Sequence, residues 1–225
     1  MVIRVDSHRL AYMAVPKAAC SSVKAALAVL DPMHAQKDAS ELGQKQVHAI
    51  YPTMRFRKHR WDYLENHFKF TVVRDPLKRL LAVYTNRVEG LGILTHCRKI
   101  RRGRVHLPTE PDPDYFFQNL TAYVATSSDI KHHTLPTALF TGTDWDAFTN
   151  VFRTSEMTAL GEALSAQTGR DVLIPHFNSS DRRLDLADLK PQTQRVLQVL
   201  LEDEYAHLDA FYDNPFDRGR VHAVA

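Results

Sequence analysis

Two short segments constrain this chain more than anything else in it: Val15-Pro-Lys-Ala-Ala-Cys-Ser-Ser22 and Phe70-Thr-Val-Val-Arg-Asp-Pro-Leu-Lys-Arg-Leu-Leu-Ala-Val-Tyr-Thr-Asn86. Each reads as an apolar strand that runs into a turn and then a helix. In that arrangement the backbone N–H groups at the helix N-terminus face outward toward an anion. Both turns also carry a cation and a proline, Lys17 after Pro16 and Arg74 before Asp75-Pro76. The expectation is two anion pockets on one sheet, suited to a ligand with two separated anionic groups.

The rest of the chain supplies a scaffold for them. Leu10 to Val15 predicts a buried strand and Val23 to Leu30 an alanine-rich helix. Thr53 to His67 reads as an amphipathic helix feeding a second strand, Lys69 to Val73. Pro76 suits a first helical turn, where its missing N–H costs nothing, and that helix is expected to run to about Glu89. A basic loop insertion follows at about 90–111, carrying Arg98, Lys99, Arg101, Arg102 and Arg104. Asp112 or Asp114 is placed to cap the next helix, expected to reach Ala125, and two further helices are predicted over Glu156 to Thr168 and Asp188 to Tyr205. Strands separated by helices favour a parallel sheet with helices on its faces, within a single domain over residues 1–225.

Composition bounds the function classes. A 225-residue chain with 44% hydrophobic and 24% charged residues can bury an ordinary globular core. The net charge of +3 permits anionic ligands without demanding nucleic acid. Cys20 and Cys97 are too few for a disulfide framework. No apolar run is long enough to cross a bilayer, and Met1 to Arg9 lacks the apolar core of a signal peptide, so a cytoplasmic enzyme is the expectation.

The two front segments resemble the donor-binding signatures of sulfotransferases that use 3′-phosphoadenosine-5′-phosphosulfate. They are most similar to the carbohydrate sulfotransferase branch of the HNK-1 and chondroitin 4-O type. The resemblance implies an α/β, P-loop-like three-layer fold with a central parallel sheet flanked by helices. It also implies that Val15 to Ser22 wraps the 5′-phosphosulfate and that Val73 to Asn86 binds the 3′-phosphate. Ala82 departs from the pattern, standing where the family carries a serine that bonds the 3′-phosphate. Weaker likenesses continue through Asp114 to Leu120, His133 to Thr137 (with Thr137 replacing a glutamine), Val151 to Glu156, Pro175 to Ser180 and Leu201 to Tyr212.

On this reading Lys17 supplies the ammonium that neutralises charge growing on the leaving phosphate. The backbone N–H groups from Ala18 through Ala19, Cys20 and Ser21 to Ser22, with the hydroxyls of Ser21 and Ser22, cradle that phosphate, Arg74 meets the 3′-phosphate, and Asn178, Ser179 and Ser180 close over the nucleotide. Sulfuryl transfer, like phosphoryl transfer, asks the protein mainly to position reactants and stabilise charge, and no metal is required. A hydroxyl acceptor needs a base near neutral pH, which histidine suits. His133 matches the family position and His132 is its neighbour; Glu156 holds the base or the donor ribose, or pairs with an arginine. The expected acceptor is a carbohydrate or other hydroxyl-bearing molecule, anionic if the basic insertion serves it. Two other readings stay open: a small-molecule kinase, although the Gly-x-x-x-x-Gly-Lys-Ser/Thr loop is absent, and a non-catalytic binder of polyanionic glycan or RNA.

Overall fold

The computed structural model describes residues 2–34, 42–177 and 183–217. In chain order the elements are β1 (Ile3–Val5), β2 (Leu10–Met13), α1 (Cys20–Leu30), α2 (Gln44–Ile50), α3 (Lys58–Asp62), β3 (Phe68–Val73), α4 (Pro76–Val83) and α5 (Arg98–Arg101). They continue as α6 (Pro113–Gln118), α7 (Leu120–Thr126), α8 (Ser128–Thr134), α9 (Ala138–Thr141), β4 (Asn150–Arg153), α10 (Met157–Thr168) and α11 (Pro191–His207). The chain forms two compact units, Met1–Arg74 with Pro136–Ser179, and Asp75–Leu135 with Ser180–Ala225.

The first unit carries the sheet, in the order β1-β2-β3-β4. β1 is antiparallel to β2, whereas β2 pairs parallel with β3 (Tyr12 opposite Phe70) and β3 parallel with β4 (Phe70 opposite Asn150). Parallel strands must be covered on both faces, and the burial of β2 at all four positions shows it. Leu10 and Tyr12 enter a cluster with Val23 and Leu27 of α1 and Leu160 and Leu164 of α10. Ala11 and Met13, pointing the other way, join Trp61, Leu64 and Phe148. Trp61 is locked there by an Nε1–H bond of 2.8 Å to the Ala147 carbonyl.

The second unit is helical among its described residues. Its core gathers Leu77, Leu80 and Tyr84 with Phe116, Phe117, Tyr123 and, from α11, Leu197, Leu201 and Tyr205. Arg79 donates at 2.9 Å to the buried carboxylate of Glu204, a pair whose removal from one side alone costs about 3–5 kcal/mol. Tyr205 accepts from the Leu77 N–H at 3.3 Å and donates to Asp75 at 3.1 Å, which fixes the start of α4 against α11.

Three boundaries differ from expectation, each for an identifiable reason. Only Lys58–Asp62 of the segment Thr53 to His67 is helical. Thr53 instead accepts from Lys24 Nζ at 2.6 Å, the Phe56 N–H donates to the Leu139 carbonyl at 2.9 Å, and the Phe56 ring lies against Trp61. Long-range partners thus outbid the local periodicity. The helix from Pro76 leaves α geometry at Val83 and continues as a π-helical segment, Tyr84–Gly90, with the Leu91 N–H bonded to the Asn86 carbonyl at 3.0 Å. The helix before Ala125 breaks at Asn119, whose side chain donates to the Tyr115 carbonyl at 2.8 Å. Asp112 is its N-cap, accepting from the Tyr115 N–H at 2.7 Å, while Asp114 turns to Lys190 N and Thr193 Oγ1 of the last helix. Within the basic insertion α5 forms, and Lys99 Nζ donates to the Ala125 carbonyl at 3.0 Å; Arg101, Arg102 and Arg104 are exposed.

Candidate active site

Between β2 and α1 the backbone makes a turn that glycine would ordinarily take. Pro16 occupies the second position of a turn closed by the Ala18 N–H to the Val15 carbonyl at 3.2 Å, and Lys17 sits at the third with φ 65°. That position calls for φ above zero. Ala19 then enters α1 with φ 55° and ψ 19°. Two residues with Cβ atoms in the left-handed region cost about 1–2 kcal/mol each, strain that the surrounding structure must hold.

The strain sets up the start of the helix. Ala19 has no side chain with which to cap α1, and the first helical N–H with a backbone acceptor is that of Val23, to Ala19 at 3.2 Å. Among the described residues, the N–H groups of Cys20, Ser21 and Ser22 are left to point out of the helix end, where the helix dipole favours negative charge. If the left-handed geometry at Ala19 is the source of strain, Ala19→Gly raises unfolding free energy by about 0.5–1 kcal/mol. Relief of about 1–2 kcal/mol is partly offset by the entropy of an added glycine. Denaturant titration checks this, and a loss of stability would contradict the assigned strain.

Arg74, immediately after β3, holds this loop from below. Its Nη1 donates to the carbonyl of Lys17 at 3.1 Å, so the cation of the second segment is tied to the strained residue of the first. Ser22 Oγ accepts from the Phe177 N–H at 3.2 Å. Ser21 Oγ lies 3.0 Å from His48 Nε2 on α2. His48 Nδ1 in turn lies 3.0 Å from the ammonium of Lys24, which also donates to Thr53 Oγ1. Lys24 is fully buried one turn along α1 from Ser21, and burial lowers its pKa to about 8, only partly opposed by Cys20.

The candidate base lies in the second unit, on α8. His133 Nε2 is 3.6 Å from Asp129 Oδ1, and its ring meets that of His132 edge to face at 5.1 Å. Asp129 also stands 3.7 Å from Arg87 Nε in the π-helical segment. In the same unit Ala82 is half-buried on α4, and Thr85 Oγ1 is turned back to the Leu81 carbonyl at 3.4 Å. Glu156, in the first unit, takes the arginine of the alternatives considered. It accepts from Arg153 Nη2 and from the Arg153 N–H, both at 2.7 Å, and these bonds hold its carboxyl below the usual range. Asn178, Ser179 and Ser180 lie outside the described residues.

Lys17, Ala18, Ala19, Cys20, Ser21, Ser22 and Arg74 therefore share one loop system in the first unit, while His132 and His133 belong to the second. Three further polar residues escaped the sequence reading. Asp129 had a usable signal, its i,i+4 spacing from His133. Lys24 had a partial one, three residues after Ser21 and so on the same helix face. His48 had none, because its role depends on how α2 packs on α1.

Comparison with known proteins places this geometry. The family model described as the sulfotransferase family matches residues 1–209. Carbohydrate sulfotransferase 14 of Danio rerio is 37% identical over 86 residues, covering 36% of this chain and 22% of the relative. Carbohydrate sulfotransferase 14 of Mus musculus is 36% identical over 83 residues, with the same 36% and 22% coverage. The matched segment thus spans about a fifth of the length of these curated relatives. No solved structure matches the chain. A family model that spans nearly the whole sequence, over a mostly parallel sheet whose second strand opens onto an uncapped helix, establishes that this chain belongs to the sulfotransferase family.

Proposed function

We propose that this protein transfers a sulfuryl group from 3′-phosphoadenosine-5′-phosphosulfate to a hydroxyl of a carbohydrate acceptor. The observation that carries the proposal is the uncapped N-terminus of α1, reached through the two left-handed residues Lys17 and Ala19. Strand, loop and helix there are read as a P-loop-like cradle, in which a helix end and bare N–H groups receive a phosphate.

The backbone N–H groups from Ala18 to Ser22 bind the 5′-phosphate, and the Lys17 ammonium neutralises the charge that builds on its bridging oxygen. Arg74, which bonds the Lys17 carbonyl, meets the 3′-phosphate with its guanidinium. The donor supplies an activated sulfur: a bond from the acceptor oxygen to sulfur forms as the bond from sulfur to the phosphate oxygen breaks. His133 takes the acceptor hydroxyl proton, and the nearby Asp129 carboxylate favours the imidazolium that results. The carbohydrate acceptor is inferred from the names of the two curated relatives.

Adenosine 3′,5′-bisphosphate is expected to raise the melting temperature more than ATP with magnesium. Ligand at 100 times its dissociation constant adds about 2.7 kcal/mol to a native state that alone binds it. Equal or greater stabilisation by ATP in a thermal-shift titration would favour the kinase reading instead.

A further inference from the structure

The chain Ser21, His48, Lys24, Thr53 joins the phosphate loop to the protein interior, and nothing in the roles assigned so far uses its inner three members. Its donors and acceptors can be worked out atom by atom. The Lys24 ammonium has only protons to give, so toward His48 Nδ1, at 3.0 Å, it is the donor and Nδ1 the acceptor. A neutral imidazole that accepts at Nδ1 carries its proton at Nε2. That proton points at Ser21 Oγ, 3.0 Å away, and makes the serine oxygen an acceptor. The hydroxyl keeps its own proton, and among the described residues Ser21 Oγ has His48 as its hydrogen-bond partner. Ser21 stands in the first turn of α1, where the outward N–H groups are, and the residue is 8% exposed.

Burial makes this arrangement directional. Lys24 is fully buried, and among the described residues no carboxylate pairs with it. Thr53 Oγ1, at 2.6 Å, fixes the ammonium from another side. A buried cation placed in this way cannot accept, and it holds the imidazole in one tautomer as the orienting group of a catalytic triad does. A serine hydroxyl with no such neighbour can spend its proton on the imidazole; here Nε2–H fills one of its two lone pairs, and the proton is left for a ligand.

We propose that His48, locked by Lys24, is a positioning residue that keeps the Ser21 hydroxyl proton available to donate to the anion bound on the α1 N-terminus. The inference rests on the donor-site reading above. It adds a preference for fully ionised phosphate oxygens, which accept, over groups that must themselves donate.

The test uses the full chain, with adenosine 3′,5′-bisphosphate as probe and titration calorimetry as readout. Ser21→Ala and His48→Phe are each expected to weaken binding roughly threefold to tenfold, the worth of one hydrogen bond. The Ser21→Ala/His48→Phe double variant is expected to be no weaker than either single one, because both remove the same bond. His48→Gln, whose amide N–H₂ can replace Nε2–H, is expected to bind within about twofold of wild type. Nitrogen-15 shifts of the His48 ring in the free protein are expected to show a protonated Nε2 and a bare Nδ1 at neutral pH. Multiplicative losses in the double variant, undiminished binding by His48→Phe, or an Nδ1-protonated ring would each overturn the proposal. Failure of wild type to bind the bisphosphate would instead overturn the donor-site reading, and the ring tautomer would still decide whether Lys24 locks His48.

Discussion

Replacing Lys17 with alanine is expected to lower turnover by about 10²–10³ while leaving donor affinity within a few-fold of wild type. The loss is that of one preorganised charge aimed at an atom that becomes negative only in the transition state. Alanine accepts φ 65° no worse than lysine does, so the strained turn is kept and the effect belongs to the ammonium. Arg74→Ala should fail in a different way. Its guanidinium is assigned to a phosphate already charged in the ground state, and it also bonds the Lys17 carbonyl. Donor binding should therefore weaken by about 1.5–3 kcal/mol, with a smaller effect on turnover. Steady-state kinetics against donor concentration separate the two patterns, and a Lys17→Ala enzyme with near-normal turnover would remove Lys17 from its role.

His133→Ala is expected to cut turnover by about 10²–10⁴, the usual contribution of a positioned base, and to leave bisphosphate affinity unchanged. The structure refines the comparison with its neighbour. Asp129 stands beside His133, so His132→Ala should do less. A His132→Ala enzyme more damaged than His133→Ala would transfer the role.

What could be read in advance was whatever the chain encodes locally. Leu10 to Met13 and Phe68 to Val73 are apolar runs, rich in aromatic and β-branched residues in the second, and are ended by Pro16 and Asp75-Pro76. Their strand character needed no tertiary help. The helix start at Pro76 was equally visible, because a first-turn proline acts within three residues of itself; the next cap was left between Asp112 and Asp114, and the last helix was read from Asp188, three residues ahead of Pro191. Ile3–Val5 was invisible: three residues at a sheet edge carry too short a pattern, and pairing with β2 alone makes them a strand. Thr53 to His67 was overread for the converse reason, its apolar spacing being real while Thr53 and Phe56 find stronger partners far along the chain. The site divides in the same way. Lys17 and Arg74 announce themselves by motif, but the bond between them needs β3 paired with β2, and the buried line from Ser21 to Thr53 exists only once α2 and the segment after it are packed on α1.

The register of the central sheet also has a history in time. Phe70 pairs with Asn150, some 80 residues later, and the whole of Asp75–Leu135 lies between. As the chain leaves the ribosome, β1, β2 and β3 can assemble with α1, but one edge of β3 stays bare until Asn150–Arg153 has been made. That edge is Phe-Lys-Phe-Thr-Val-Val, a sequence well suited to pairing with a neighbour of its own kind. Lys69 is the one charge along it, and the closing of so long a loop is the slow step to be outrun. Yield during synthesis is thus tied to how soon Asn150–Arg153 arrives to cover β3, a liability that a stability measurement on the finished protein would not register.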